Sequence, residues 1–219
     1  MATGEVPTVR RVVSMVGTYE EQVARLCALV DQFVRRAASA GREVVFVYDI
    51  DDTVVYEPEG TGVDQPIERM VKCFRKYVRK YATYFCTARP IVPGNDAATR
   101  TMLRRRKLLG FRRLRLRPVG LKVAPFKWAT CCDFVSNHTP DVGIVRVGDM
   151  LWDTVPHPYP SQVTHLEAPH HGHYIELSNG IGILLPTRGL FATGDNGSAP
   201  PVVPPKPAKR MTQPTMASE

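Results

Sequence analysis

Three acidic side chains, Asp49, Asp51 and Asp52, follow directly on the apolar run Val-Val-Phe-Val-Tyr at positions 44–48, and Thr53 closes the stretch. A short apolar run rich in β-branched residues, with Gly41 ahead of it, predicts a buried strand of a parallel sheet. Carboxylates at the tip of such a strand repel one another and lose hydration. A fold keeps them there when a divalent cation or a phosphoryl-transfer task compensates. Taken alone, the stretch also reads as an acidic loop that happens to follow a strand. Other segments carry side chains suited to the same chemistry: Thr87 after the run Thr-Tyr-Phe-Cys, Lys127 in Phe-Lys-Trp, and Asp149 and Asp153 in Gly-Asp-Met-Leu-Trp-Asp.

The elements that must position these groups can be read from hydrophobic period and punctuation. Thr18-Tyr19-Glu20-Glu21 is a capping box, and Val23, Leu26, Val30, Phe33, Val34 and Ala37 follow at helical spacing until Gly41. After Thr53 comes a turn-rich stretch with Gly60 and Gly62. Asp64 is then the expected cap of a second helix, apolar through Ile67, Met70, Val71, Phe74, Tyr77 and Val78 and basic on its other face. Residues 83–86 predict a strand ending at Thr87, and a helix is expected from about Asp96 to Leu109, closing at Gly110. Leu114 and Leu116 mark another strand, and residues 126–135 read as helix. Residues 143–147 predict a strand that delivers Asp149, and residues 174–177 and 181–185 a hairpin around Ser-Asn-Gly. This alternation predicts an α/β fold, a Rossmann-like three-layer sandwich with a mostly parallel sheet. Ligands in such folds bind beyond the carboxyl ends of the strands, where the Asp49, Thr87 and Asp149 segments fall.

The 219 residues suffice for one substantial domain. The expected division is an N-terminal segment at 1–17, a catalytic-type domain at 18–192, and a disordered Pro-rich tail at 193–219. No run approaches the roughly 18 apolar residues of a membrane span, and residues 1–11 lack the apolar core of a secretory signal. Cys27, Cys73, Cys86, Cys131 and Cys132 show no framework or CxxC spacing, so reduced thiols in a cytoplasmic or nuclear setting are expected. The net charge of +8 is concentrated: from Arg69 to Arg117 there are sixteen Lys or Arg against one acid, Asp96. That block is either a solvated helical face or a footprint for nucleic acid or another polyanion. Five of the six histidines fall from His157 to His173, and an exposed loop near the site fits them better than a zinc site does.

A strand ending in DxDxT, a second ending in Thr, a helical Lys and a last strand ending in GDxxxD occur here in that order. The chain thereby resembles the haloacid dehalogenase-like phosphohydrolase superfamily over roughly residues 44–153, about half its length. The segment LRLRPVGLKVAPFK resembles the acid-phosphatase branch most. The resemblance implies a Mg²⁺-dependent phosphomonoesterase. Asp49 would be the nucleophile that forms an aspartyl-phosphate, and Asp51 the general acid and base. The metal ligands would be Asp49, the main chain of Asp51, and Asp149, with Asp153 as a further ligand or support. Thr87 and Lys127 would hold the phosphoryl oxygens. A carboxylate attacking a phosphate dianion needs such a cation to offset their repulsion. Lys122 rivals Lys127, and Arg89 suits either a phosphate or a neighbouring acid. The connections at 54–64 and 137–142 are short, so no large cap domain is expected and the cleft would be open to bulky or macromolecular phosphates. The competing class is a catalytically weak protein of the same fold that uses its basic face on nucleic acid or a protein partner.

Overall fold

The computed structural model describes residues 6–58, 61–166 and 171–188; the expected disordered tail at 193–219 lies outside them. In chain order the elements are β1 (Val9–Ser14), α1 (Tyr19–Ser39), β2 (Val44–Tyr48), β3 (Val55–Tyr56), β4 (Gln65–Pro66), α2 (Glu68–Val78), β5 (Ala82–Pro90), α3 (Asn95–Arg105) and β6 (Arg113–Arg117). Then come α4 (Val123–Val135), β7 (Gly143–Gly148), α5 (Leu151–Thr154), a 3-10 turn at Ser161–Leu166, β8 (His173–Leu177) and β9 (Gly180–Leu184). Seven strands form one sheet in the order β1-β8-β9-β7-β2-β5-β6. The five from β9 to β6 run parallel, and β8 and β1 add antiparallel pairs at one edge. This is the expected α/β sandwich. The sheet also takes in Val9–Ser14, ahead of the Thr18 at which the sequence placed the start of the domain.

Alternation along β2 sends side chains to both faces, and both are covered. Phe46 and Tyr48 face one layer, where Phe46 stacks on Tyr77 at 4.8 Å and Phe74 stacks on Phe85 of β5 at 5.2 Å. Helix α1 joins that layer through Val23, Leu26, Val30 and Val34. Val45 and Val47 face the other layer with Tyr84, Cys86, Phe126, Cys131 and Phe134. The capping box that starts α1 is present: the Glu21 amide donates to Thr18 Oγ1 at 3.4 Å, and the Thr18 amide donates to Glu21 Oε2 at 2.9 Å. Because α1 runs back to β2 through Gly41, its first turn lies at the end of the sheet where β2 finishes.

Helix α4 starts at Val123, three residues ahead of expectation, and three other boundaries differ, each for a local reason. Asp64 does not cap α2. Gln65 and Pro66 pair with Tyr56 and Val55, and the Ile67 amide donates to the Val54 carbonyl at 3.0 Å, so the chain stays extended until Glu68. Helix α3 stops at Arg105 rather than Leu109. Lys107 takes a left-handed conformation (φ 56°), and the Leu108 amide reaches back to the Leu103 carbonyl at 2.9 Å, which closes the helix without glycine. Strand β5 continues past Cys86 to Pro90, with its pairing to β6 shifted between Thr87 and Pro90. Such an irregularity re-aims the side chains that follow it.

Candidate metal and phosphoryl-transfer site

Asp49 leaves the tip of β2 and Asp149 the tip of the adjacent parallel strand β7; the Asp49 amide donates to the Val147 carbonyl at 2.9 Å. Asp153 comes from the single turn of α5, which folds back over the end of β7, and its Oδ2 accepts the Met150 amide at 3.3 Å. Asp49, Asp149 and Asp153 each offer one carboxylate oxygen, and these three atoms lie within 4.8 Å of one another. Gly148 permits the fold-back, because a Cβ there would sit 2.1 Å from Asp153 Cβ.

Lys127 enters from α4 and is 4 % exposed. Its ammonium contacts Asp49 Oδ1 at 2.6 Å and Asp153 Oδ1 at 2.5 Å, and donates to the Cys86 carbonyl at 2.6 Å. Its rival Lys122 stands exposed just before α4. Burial pushes the carboxyls up, to about 7 for Asp49 and about 9 for Asp149. At Asp49 the Lys127 charge opposes that rise and the Asp153 and Asp51 charges add to it; at Asp149 both Asp49 and Asp153 add to it. Asp153 is likewise raised by burial, against the Lys127 charge. Burial alone would lower the Lys127 ammonium, but Asp153 and Asp49 outweigh it and hold it protonated. Three carboxylates against one ammonium leave a deficit of two positive charges when all are ionised. A single divalent cation matches that deficit, and an all-oxygen donor set suits a hard one.

The other expected residues sit close by with different partners. The Asp51 carboxylate is turned to Arg89, whose Nη2 lies 2.6 Å from Oδ1 and whose Nε donates to Oδ2 at 3.0 Å. It is therefore not among the three clustered carboxylates; the role expected of Asp51 toward a metal was through its main chain. Arg89 also approaches Asp64 Oδ2 at 3.5 Å, so it is the acid-pairing alternative that is realised. Thr87 is fully buried, and its Oγ1 accepts the Arg89 amide at 3.2 Å, leaving the hydroxyl proton for another acceptor. Thr53 closes a tight turn in which the Thr53, Val54 and Val55 amides all reach the Ile50 carbonyl, with Asp52 at φ 53°. The exposed loop expected for the histidines does not extend to His173, which is buried in β8 against Ser14 Oγ at 3.1 Å; His170 lies outside the described residues.

Sequence reasoning gave no role to three residues at this end of the sheet. The Arg188 guanidinium carbon lies 3.6 Å from the centre of the Tyr56 ring and 5.4 Å from that of Tyr19. Tyr19 opens α1, Tyr56 belongs to the β3–β4 hairpin after the acidic turn, and Arg188 follows β9. No spacing in the sequence links three such separated residues. No protein-family model matches the chain, and no curated protein matches it.

Proposed function

We propose that the chain is a Mg²⁺-dependent phosphomonoester hydrolase of the haloacid dehalogenase-like type, working through an aspartyl-phosphate on Asp49. The observation that carries this reading is the meeting of Asp49, Asp149 and Asp153 within 4.8 Å while Lys127 touches Asp49 at 2.6 Å. A purely structural ion pair needs one carboxylate, whereas here the buried Asp153 shares Lys127 with Asp49 and the half-buried Asp149 adds a third negative charge beside them.

In this reading a carboxylate oxygen of Asp49 attacks phosphorus as the bond from phosphorus to the leaving oxygen breaks, and the Asp51 carboxyl gives that oxygen a proton. Water then attacks the same phosphorus, Asp51 takes a proton from it, and inorganic phosphate leaves with Asp49 restored. Asp49, Asp149 and the Asp51 main chain, with Asp153 in support, would hold Mg²⁺, which when bound would supply the positive charge that lets a carboxylate approach a phosphate dianion. Lys127 and the Thr87 hydroxyl hold the equatorial oxygens. Asp51 rests on Arg89, so it serves the leaving group only after exchanging partners, and an arriving phosphate offers the guanidinium a substitute. Among the described residues, the connection from β2 to α2 holds the short hairpin of β3 and β4, in keeping with an open cleft and a bulky phosphorylated substrate.

The test is release of phosphate from p-nitrophenyl phosphate and a panel of phosphorylated metabolites, peptides and oligonucleotides. Turnover that requires Mg²⁺ and falls at least a thousandfold in Asp49→Asn is expected. Equal turnover with EDTA, or none with any substrate, would sink the reading.

One observation favours a second reading, a binding protein that uses its basic face on nucleic acid. Arg79, Lys80, Arg112 and Arg113 gather where β5 and β6 begin, the end of the sheet opposite Asp49; the Arg112 amide bonds the Thr83 carbonyl at 2.7 Å. A polyanion bound there would be held apart from the acidic cluster. Oligonucleotide binding that weakens steeply with salt and survives Asp49→Asn would support it.

A further inference from the structure

Of the cations near the acidic cluster, two are committed to carboxylates. Lys127 is held by Asp49 and Asp153, and Arg89 by Asp51 and Asp64. Arg188 differs: among the described residues no carboxylate oxygen lies within 4.0 Å of it, and its guanidinium is stacked on Tyr56. Stacking fixes the plane of the fork and leaves its N–H edges to meet an acceptor, which is the geometry that recognises phosphate with paired hydrogen bonds.

The chain path brings this fork to the end of the sheet where Asp149 stands. Leu184 pairs with Gly148, and the Leu185 amide donates to the Gly148 carbonyl at 2.8 Å, so Arg188 follows by three residues a point fixed next to Asp149. Tyr56 is anchored through Val55, which bridges to Asp51. The charge of Arg188 reaches Asp52 and the Tyr19 hydroxyl, and the charge of Asp149 reaches that same hydroxyl. The platform and the acidic cluster therefore lie at the same end of the sheet.

We propose that Arg188, oriented by Tyr56, is a second anion subsite that selects phosphomonoesters carrying a further phosphate group. The inference rests on the phosphatase reading for which phosphate is cleaved, but the subsite can be measured by binding alone. Arg188 takes the phosphate that is not cleaved, and Tyr56 stops the long side chain from collapsing onto Asp52. The second phosphate can come from a nucleoside bisphosphate, a sugar bisphosphate or the next phosphodiester of an oligonucleotide end.

Mg²⁺-loaded Asp49→Asn protein, which cannot turn substrate over under this reading, is titrated calorimetrically. The probes are adenosine 5′-monophosphate, adenosine 3′,5′-bisphosphate, fructose 1,6-bisphosphate and a 5′-phosphorylated dinucleotide. At least one ligand carrying two phosphate groups should bind ten times more tightly than the monophosphate, and which one does so identifies the source. Adding Arg188→Met should bring that ratio close to one, while Arg188→Lys should retain part of it. Equal affinities in the Arg188 protein, no binding by any probe, or an equal loss for all probes in Arg188→Met would overturn the proposal. Preference without any turnover by the wild-type chain would leave the subsite standing and remove the phosphatase reading. Turnover without preference would do the reverse.

Discussion

Lys127 Nζ sits 2.6 Å from Asp49 Oδ1 and 2.5 Å from Asp153 Oδ1, one ammonium joining two carboxylates from different ends of the chain's acidic segments. All three side chains are buried, so each is committed to the others. Replacing Lys127 with Met strands two buried carboxyls, and loss of one partner of a buried pair costs about 3–5 kcal/mol. Urea unfolding of Lys127→Met in EDTA should show a loss of that order. Asp49→Asn/Lys127→Met should lose less than the sum of its two single changes, because the second removes a charge that the first left unpaired.

The raised carboxyls give metal-free stability a definite slope. Asp49 near 7 and Asp149 near 9 hold their protons in the folded chain at pH values where the unfolded chain has released them. An unfolded Asp titrates near about 4. Between there and about pH 9 the folded state binds more protons, so stability falls as pH rises. Thermal midpoints in EDTA should therefore drop from pH 5 to pH 8.5, and Asp149→Asn should flatten the curve. Added Mg²⁺ should raise the midpoint more at pH 8.5 than at pH 5, because protons compete for the same oxygens. Identical slopes for the wild type and Asp149→Asn would show that Asp149 is ionised in the fold.

Gly148 governs whether Asp153 can fold back onto the cluster. Gly148→Ala places a methyl group where the Asp153 side chain stands, so the α5 turn must shift. Calorimetric titration with Mg²⁺ or Mn²⁺ should show at least a tenfold loss of affinity, with the far-ultraviolet circular dichroism kept. Unchanged affinity would mean that Asp153 has no part in holding the ion.

Arg89 binds Asp51 by both its Nε and its Nη2, and it contacts neither Asp49 nor Asp149 among the described residues. Arg89→Met should thus leave metal affinity within about twofold while lowering turnover roughly ten- to a hundredfold, the scale of a misplaced acid–base group. Equal metal affinity and equal turnover would remove Arg89 from the reaction.

In the hydrophobic layer above the sheet, Phe74 stacks on Phe85 and meets Tyr48 edge-on at 5.5 Å, all three fully buried. Phe74→Ala should cost about 3–5 kcal/mol in urea unfolding. Because Tyr48 immediately precedes Asp49, this variant should also weaken metal binding.

Strand period, capping residues and turn residues act locally, so the α/β layering, the acidic tip after 44–48 and the order of Thr87, Lys127, Asp149 and Asp153 are legible in the sequence. So is the start of α1 at Thr18, where donor and acceptor lie three residues apart. What each charged group faces was set by the packing of distant elements. Asp64 reads locally as a helix cap, yet pairing of β3 with β4 turned it toward Arg89. Lys122 and Lys127 are alike in composition, and the packing of α4 against β5 chose Lys127. Val9–Ser14 joined the sheet through its pairing with β8, some 160 residues on. Tyr19, Tyr56 and Arg188 met because the start of α1, the hairpin after β2 and the chain leaving β9 all lie at the end of the sheet where β2 finishes. Partners of a long side chain are set by which elements become neighbours in space, and that information lies in the summed packing of distant segments rather than in any one stretch.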